Sequence, residues 1–472
     1  MRCMKISLLP VVSGSPINEF LSCLTNTVNP ENLRREKIMV KAIYAITAAI
    51  LVTALVVAAV AWVVLRPAPA ANVVEIYHWW TSGGEAKAIN ALVDVFKTEY
   101  PDVAVIQSPV AGGAGYVFQA VIKPLVLAGE APDAFQMHAG YEGKPYFDGG
   151  YLDSITNLWK DQGWESVIPK VVRDMVTFDG NYYSVPVNIH RANVVWYNKQ
   201  ALTSNGIDPT TLTTWDAFFA ACSKLKAAGV ASPIALGDSG AWTDTHVLEQ
   251  IIASEGIAFY QDWVNGKVTS ATDSNLVDAL TKFKTYLSYV NTDHAALTWD
   301  QAIAKVIKGD AAFSVMGDWA NGEFLVANKV YGTDYGTFAS PGTEGMYGLC
   351  IDCFQHPKGV KHPDNSLNWL KVVGSKEGQD AFNPIKGSIS ARTDSDTTKY
   401  GPYQKAAITD FKAATHMYPS VTHGSGAPTT FTAKLNDIMS AFVLNNDVSA
   451  AATALTDQTK AVSADYTTVW SL

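Results

Sequence analysis

The stretch between residues 73 and 106 constrains the fold more than any other part of the chain. Residues 73–80 form a short β-rich run, residues 86–100 place Ile89, Leu92, Val93 and Phe96 at helical spacing, and residues 103–106 return to strand character. Ser82 and Glu85 fit a capping box that would start the helix, and Pro101-Asp102 stops it. A second helix is expected over about 116–128, and APDAFQMHAG supplies a third strand, with Phe135 and Met137 on one face and Gln136 and His138 on the other. Alternation of this kind predicts an α/β domain around a mostly parallel sheet. The first strand ends on two adjacent tryptophans, Trp79 and Trp80. Neighbours on a strand point to opposite faces, so these rings need not share one core. One ring is expected to brace the wall and the other to meet a ligand, because the carboxyl ends of strands in open α/β sheets face the binding crevice.

The pattern continues. YYSVPVN leads to VVWYN, a helix is expected near 215–228, and a strand near Ile234 precedes helices rich in Ala and Leu. TWDQAIAKVIKGDAAFSVMGDWANG reads as helix, glycine turn, buried strand and polar-aromatic loop, so a strand again runs into a tryptophan. FASPGTEGMYGLCIDCF is punctuated by Gly and Pro and then strand-like, as a connection between two lobes would be. At 472 residues, 48% of them hydrophobic, the chain has the material for two or three domains with real cores.

Composition excludes some partners. The formal net charge is −9 and no basic cluster stands out beyond a short run near residue 35, so nucleic acid is not an expected partner. Charged residues make up 17% and aromatics 11%, a balance that suits an extracellular setting. Residues 42–65 run for twenty-four positions without a charge. That is enough to span a hydrocarbon core of about 30 Å as a helix. Arg34, Arg35, Lys37 and Lys41 precede it, so the body of the chain is expected outside the membrane. A cleavable signal ending at Ala68-Pro69-Ala70 is the rival reading, but signal cores run to about 7–15 residues, so a retained anchor is preferred. No cysteine follows the run to carry a lipid, and residues 1–38 have no clear pattern, with Met39 placed where a start would make sense.

Five cysteines are too few for a disulfide framework. Cys222 matches the apolar face of its helix. Cys350 and Cys353 have no second C-x-x-C to complete a four-ligand zinc site. In an extended strand they lie roughly 10 Å apart, out of disulfide reach, and are expected free or buried. No cofactor or metal is expected. H-E-x-x-H, G-x-S-x-G and the Walker A pattern are absent, while paired carboxylates far apart in sequence keep a secreted glycoside hydrolase open as a rival. What the chain does carry is a set of aromatic and polar residues where strands or glycine-rich loops end: Trp79, Trp80, Gln136, His138, Trp299, Asp318, Trp319, Asp352, Lys386 and His423. Sugars fit such a set, because their axial-hydrogen faces lie on aromatic rings and their hydroxyls need charged or amide partners. Glu85 reads equally as a helix cap or as a ligand.

The stretches EIYHWWTSGGE, VAGGAGYVFQAV, PDAFQMHAG, YYSVPVNIHRANVVWYN, TTWDAF, LTWDQAIAKVIKGDAAFSVMGDWANG, GSKEGQDAFNPIKGSISAR and VTHGSGAP, in that order, carry a resemblance. From Val73 on, the chain resembles the extracellular solute-binding proteins of family 1, most closely the glucose/mannose-binding branch that serves sugar ABC transporters. The resemblance implies a two-lobe, periplasmic-binding-protein-like α/β fold with a hinge, here preceded by an N-terminal membrane helix. The implied layout is an N-terminal segment 1–41, an anchor or leader helix 42–65, a linker 66–72, a first lobe of 73–188 plus 340–391, and a second of 189–339 plus 392–472. It implies a receptor without catalysis that takes a monosaccharide of the glucose, mannose or galactose type, works as a monomer and serves a permease with its cytosolic ATPase. An oligosaccharide- or peptide-binding receptor is a further alternative.

Carried over by motif, Trp79, Trp80 and Glu85 would line the first-lobe wall beside Gln136 and His138. Trp299 and Trp319 would present rings from the other lobe, Asp352 and Lys386 would bond hydroxyls, and His423 would close the site. Asn188, His190 and Arg191 form a second tier near the crossover. Two departures stand out: Cys350 and Cys353 flank Asp352 where relatives carry small or polar residues, and an apolar helix stands in place of a short signal. A pilin-like leader cut at Lys41-Ala42 would fit that helix.

Overall fold

The computed structural model describes residues 72–472. The apolar run at 42–65 and everything else before Asn72 lie outside the described residues. Among the described residues no helix is long and apolar enough to cross a membrane.

Strand β1 (Val73–His78) pairs in parallel with β2 (Ala104–Pro109) and β3 (Ala134–His138). Helix α1 (Gly83–Glu99) links the first two and buries, beside Ala88, the predicted stripe of Ile89, Leu92, Val93 and Phe96. Each such residue, fully buried, contributes about 1.5–3 kcal/mol relative to exposure. Helix α2 (Tyr116–Leu127) precedes β3. Further strands follow in chain order: β4 (Ser184–Pro186), β5 (His190–Arg191), β6 (Val194–Asn198), β7 (Phe313–Val315) and β8 (Tyr335–Ala339). After them come β9 (Met346–Cys350), β10 (Asp352–Gln355) and β11 (His416–Pro419).

These strands build three sheets, ordered β2-β1-β3-β10-β4, β8-β6-β7 and β11-β9-β5. The first sheet is mixed, not mostly parallel as the sequence pattern predicts, because β10 runs antiparallel to both β3 and β4. The second is antiparallel throughout. The reason lies in how the strands arrive. Strands β1 to β4 are joined through helical segments and all run in the same direction, whereas β10 enters between β3 and β4 straight from another sheet and runs against both. Residues 184–198 thread all three sheets through β4, β5 and β6, and only Ile351 separates β9 in one sheet from β10 in another. The two passing segments pair with each other, Leu349 with Arg191 and Cys350 with His190.

Buried residues form two apolar clusters. One surrounds the first sheet and includes Ile76, Leu92, Phe135, Phe354 and Trp369. The other gathers Phe218, Leu248, Phe283, Phe313 and Phe442 around β6, β7 and the helices that cover them.

His78 closes β1 and carries a titration into the core. Its Nδ1 accepts from the Trp80 N–H at 3.3 Å and its Nε2 lies 3.2 Å from Gln107 Oε1, so the neutral ring fits both partners. Burial pushes its pKa down to about 4. Unfolded histidine titrates near 6.5, so the unfolded chain takes up a proton that the folded chain refuses. The contribution is complete above about pH 6.5 and is lost as pH falls toward 4, reaching roughly 3 kcal/mol at the acid end. The urea midpoint is expected to fall across that window, and less steeply in His78→Gln. Equal slopes in the two proteins would remove His78 as a source of acid lability.

Candidate functional site

The carboxyl ends of β1 and β3, the start of β10 and the polar-aromatic loop after β7 converge on one cleft of about 360 Å³. Nine of the ten sequence-predicted residues line it: Trp79, Trp80, Glu85, His138, Trp299, Trp319, Asp352, Lys386 and His423. Gln136 stands behind the wall. Its Nε2 donates to Asp352 Oδ1 at 2.9 Å and its Oε1 accepts from the Trp79 N–H at 3.0 Å, so it fixes the end of β1 against the carboxylate.

Asp352 is the most heavily bonded group in the cleft. Its Oδ2 accepts from Asn188 Nδ2 at 2.7 Å, and its own N–H donates to Asn188 Oδ1 at 2.9 Å. His190 Nε2 lies 3.3 Å from Oδ2 and His138 Nε2 lies 3.8 Å from Oδ1. Burial alone would raise the carboxyl pKa. The His190 bond and the charges of His190, His138 and Lys386 outweigh it and hold Asp352 well below the usual carboxylate range. The group is therefore an anionic acceptor at neutral pH. His190 is held from its other side, where Nδ1 bonds the buried Asp318. His138 is treated the same way, its Nδ1 lying 2.7 Å from Glu142 Oε2.

Glu85 resolves its two readings against the capping box. Ser82 is the N-cap of α1 but makes no side-chain cap bond, and Glu85 turns instead to the Lys386 ammonium at 2.9 Å. An unpaired buried ammonium is costly, so the ion pair outcompetes the cap. The helix N-terminus is served by a different chain segment: the Gly84 N–H donates at 2.9 Å to Glu323 Oε1, from helix Ala320–Val326.

The two tryptophans diverge as they leave the sheet. The Trp79 ring packs at 4.8 Å from His138 and 5.3 Å from Phe118, while Trp80 packs at 4.8 Å from Phe382 and 5.9 Å from Phe354. Both reach the cleft, so wall and lining are not divided between them as the sequence reading expects. The Trp80 indole N–H is buried without a protein acceptor. Trp319 meets His423 at 4.9 Å and Trp242 at 6.1 Å, and Trp299 completes the aromatic side.

Sequence reasoning missed Trp242. It opens helix Trp242–Ser254, whose polar residues Thr243, Asp244, Thr245, His246, Glu249 and Gln250 are all buried. The signal was present as a tryptophan directly after GDSGA, the same loop-then-tryptophan arrangement that marked Trp319. Gly113 makes room for it, since a Cβ there would lie 2.4 Å from Trp242 Nε1. Of the second tier, His190 lines the cleft, Asn188 bonds Asp352, and Arg191 is bonded to Asp410 with its guanidinium over the Tyr347 ring. Cys350 and Cys353 are free and buried, and Cys350 lines the cleft. Burial and the neighbouring His138 and His246 rings hold the His423 pKa well below its ordinary value, and neither ring nitrogen has a protein partner.

Residues 80–380 match the family of bacterial extracellular solute-binding proteins. An uncharacterized ABC transporter extracellular-binding protein of Pyrococcus horikoshii is 44% identical over 388 residues, which cover 82% of this chain and 87% of its own. A probable sugar-binding periplasmic protein of Mesorhizobium japonicum is 35% identical over 407 residues, covering 82% and 93%. Among solved structures, the bacterial solute receptor AcbH, described as preferring β-D-galactopyranose exclusively, superposes with a TM-score of 0.72 at 17% identity, over 83% of this chain and 100% of its own. A chitin oligosaccharide binding protein gives 0.73 at 18%, over 83% and 99%. The fold is thus the two-lobe α/β arrangement of periplasmic binding proteins.

Proposed function

The chain belongs to the family of bacterial extracellular solute-binding proteins, and from that membership we propose that it is the sugar receptor of an ABC importer. It captures a monosaccharide of the glucose, mannose or galactose type between its lobes and hands it unaltered to the permease. The observation that carries this reading is the lining itself: five tryptophans, Trp79, Trp80, Trp242, Trp299 and Trp319, face the buried charges of Asp352 and Lys386 in one cleft. Rings take the apolar faces of a pyranose and the charges take its hydroxyls. The paired segments at β5 and β9 are the hinge about which the lobes close. The receptor acts as a monomer, held outside the membrane by residues 42–65.

One observation favours longer ligands. A cavity of about 1,020 Å³, lined by Tyr116, Tyr146 and Tyr151, shares Ala114 and His423 with the cleft. Titration of tryptophan fluorescence against glucose, galactose, mannose, xylose, maltose and chitobiose separates the readings. Saturation by a hexose alone is expected, and tighter binding of a disaccharide would overturn the monosaccharide assignment. Prolonged incubation with oligosaccharides is expected to return them intact, and any released product would restore the hydrolase reading.

Closure can be tested at Gly84. A Cβ there would lie 2.8 Å from the Gly322 carbonyl carbon, closer than real Cβ atoms come to backbone. Gly84 belongs to the proposed first lobe and Gly322 to the second, so Gly84→Ala wedges the lobes apart. Its glucose affinity is expected to fall about tenfold or more, roughly 1.4 kcal/mol, with little change in the unfolding midpoint. Unchanged affinity would mean that this contact is not part of closure.

A further inference from the structure

We infer that His138, Cys350 and His423 form a binding site for a thiophilic divalent metal ion of the zinc type at the wall of the cleft. Their ligand atoms all lie within 4.8 Å of one another, and all three side chains are buried. Tetrahedral zinc bonds of about 2.0–2.3 Å place neighbouring ligand atoms about 3.3–3.7 Å apart, so side-chain rotations closing roughly 1 Å complete the geometry. No protein hydrogen bond has to break for that movement at His423, whose two ring nitrogens are buried without partners.

A second, independent feature points the same way. Glu142 Oε2 lies 2.7 Å from His138 Nδ1 and also accepts the His138 backbone N–H at 2.8 Å. With Nδ1–H donated to a carboxylate, Nε2 is the nitrogen that takes the metal, giving up its own proton to buffer, and its nearest charged neighbour is Asp352 at 3.8 Å. A carboxylate behind a histidine is the usual outer support of a metal-bound imidazole. Cys350 supplies the soft donor: its S–H bond breaks, the proton leaves to buffer, and the sulfur electron pair bonds the metal. All three residues also line the cleft, so the remaining coordination position faces the space assigned above to the sugar. The site itself does not rest on the receptor reading; only competition with sugar does. The ligands come from three segments more than seventy residues apart, which is why no spacing motif announces them.

The test is titration of the purified full chain with CoCl₂ in the absence of sugar, read at the thiolate-to-cobalt charge-transfer band, followed by displacement with ZnCl₂. A saturable band that zinc abolishes is expected. Cys350→Ser is expected to lose it, Cys353→Ser to keep it, and Glu142→Gln to weaken cobalt binding about 10–100-fold. A wild-type protein without the band, or a Cys350→Ser protein that retains it, overturns the site. Saturating glucose is expected to suppress the band. Glucose that binds by calorimetry and leaves the band unchanged overturns the shared-cleft geometry. A protein that binds cobalt through Cys350 but takes no sugar removes the receptor reading and leaves the metal site standing.

Discussion

Asp352→Asn is expected to lose glucose affinity by at least a hundredfold in calorimetry while the protein stays folded. The substitution keeps the shape of the side chain and removes its charge. In the wild type both oxygens already accept, one from Gln136 Nε2 at 2.9 Å and one from Asn188 Nδ2 at 2.7 Å. An amide at this position must turn its NH₂ toward one of those donors, or toward His190, which is pinned by Asp318. The remaining acceptor capacity is what a sugar hydroxyl would use. A hydrogen bond to a charged group contributes about 1.5–3 kcal/mol, so losing two of them costs roughly 3–6 kcal/mol, or two to four decades in affinity. If the wild-type receptor binds with a micromolar dissociation constant, near −8 kcal/mol, that loss takes binding to the edge of detection. Asp352→Ala removes every acceptor and is expected to abolish binding outright. Wild-type affinity in either variant, with cooperative unfolding retained, would displace Asp352 from the ligand site.

Lys386→Met is expected to lower folding stability by about 3–5 kcal/mol, the cost of leaving a buried charge without its partner. Lys386 is 2% exposed and Glu85 8%, and the two meet at 2.9 Å. The ion pair joins the end of helix Lys376–Lys386 to the first turn of α1, two elements packed together along much of their length. Truncating the lysine strands the carboxylate. A Glu85→Gln change added to Lys386→Met removes that stranded charge and is expected to recover most of the stability. It is not expected to recover sugar binding, because the ammonium donor is still missing. Urea unfolding and glucose calorimetry on the single and double variants separate the two roles. Recovery of binding in the double variant would make Lys386 a structural residue only.

Much of this site is legible because its residues sit at places that local pattern reveals. Trp79 and Trp80 end a strand, Glu85 opens a helix, His138 ends another strand, and Trp319 follows a glycine after β7. Gln136 shows the limit of that approach. Its alternation with Phe135 and Met137 puts it on the face of His138, but whether it touches ligand or supports Asp352 depends on how far along the strand the cleft reaches, and the carboxylate claims it first. Trp242 was announced only by its place after GDSGA, because its helix gives no periodic signal. A helix whose polar residues are all buried has no solvent face, so amphipathic periodicity has nothing to report. The mixed sheet belongs to the same class of surprise, since nothing local to residues 184–186 or 352–355 states which way each strand will run beside its neighbour.

What the sequence alone determined is the order of strands and helices from Val73, the stripe that packs α1 and the aromatic residues at element ends. Periods of two and 3.6 residues and turn chemistry are properties of a few consecutive positions. What only the tertiary structure decided is pairing. Glu85 left its expected helix cap for Lys386, 301 residues away, and Glu323 took over the helix end from another part of the chain. Those choices follow from burial: once a charge is removed from water, the partner that satisfies it is whichever group the fold brings within reach, and sequence distance carries no weight in that competition.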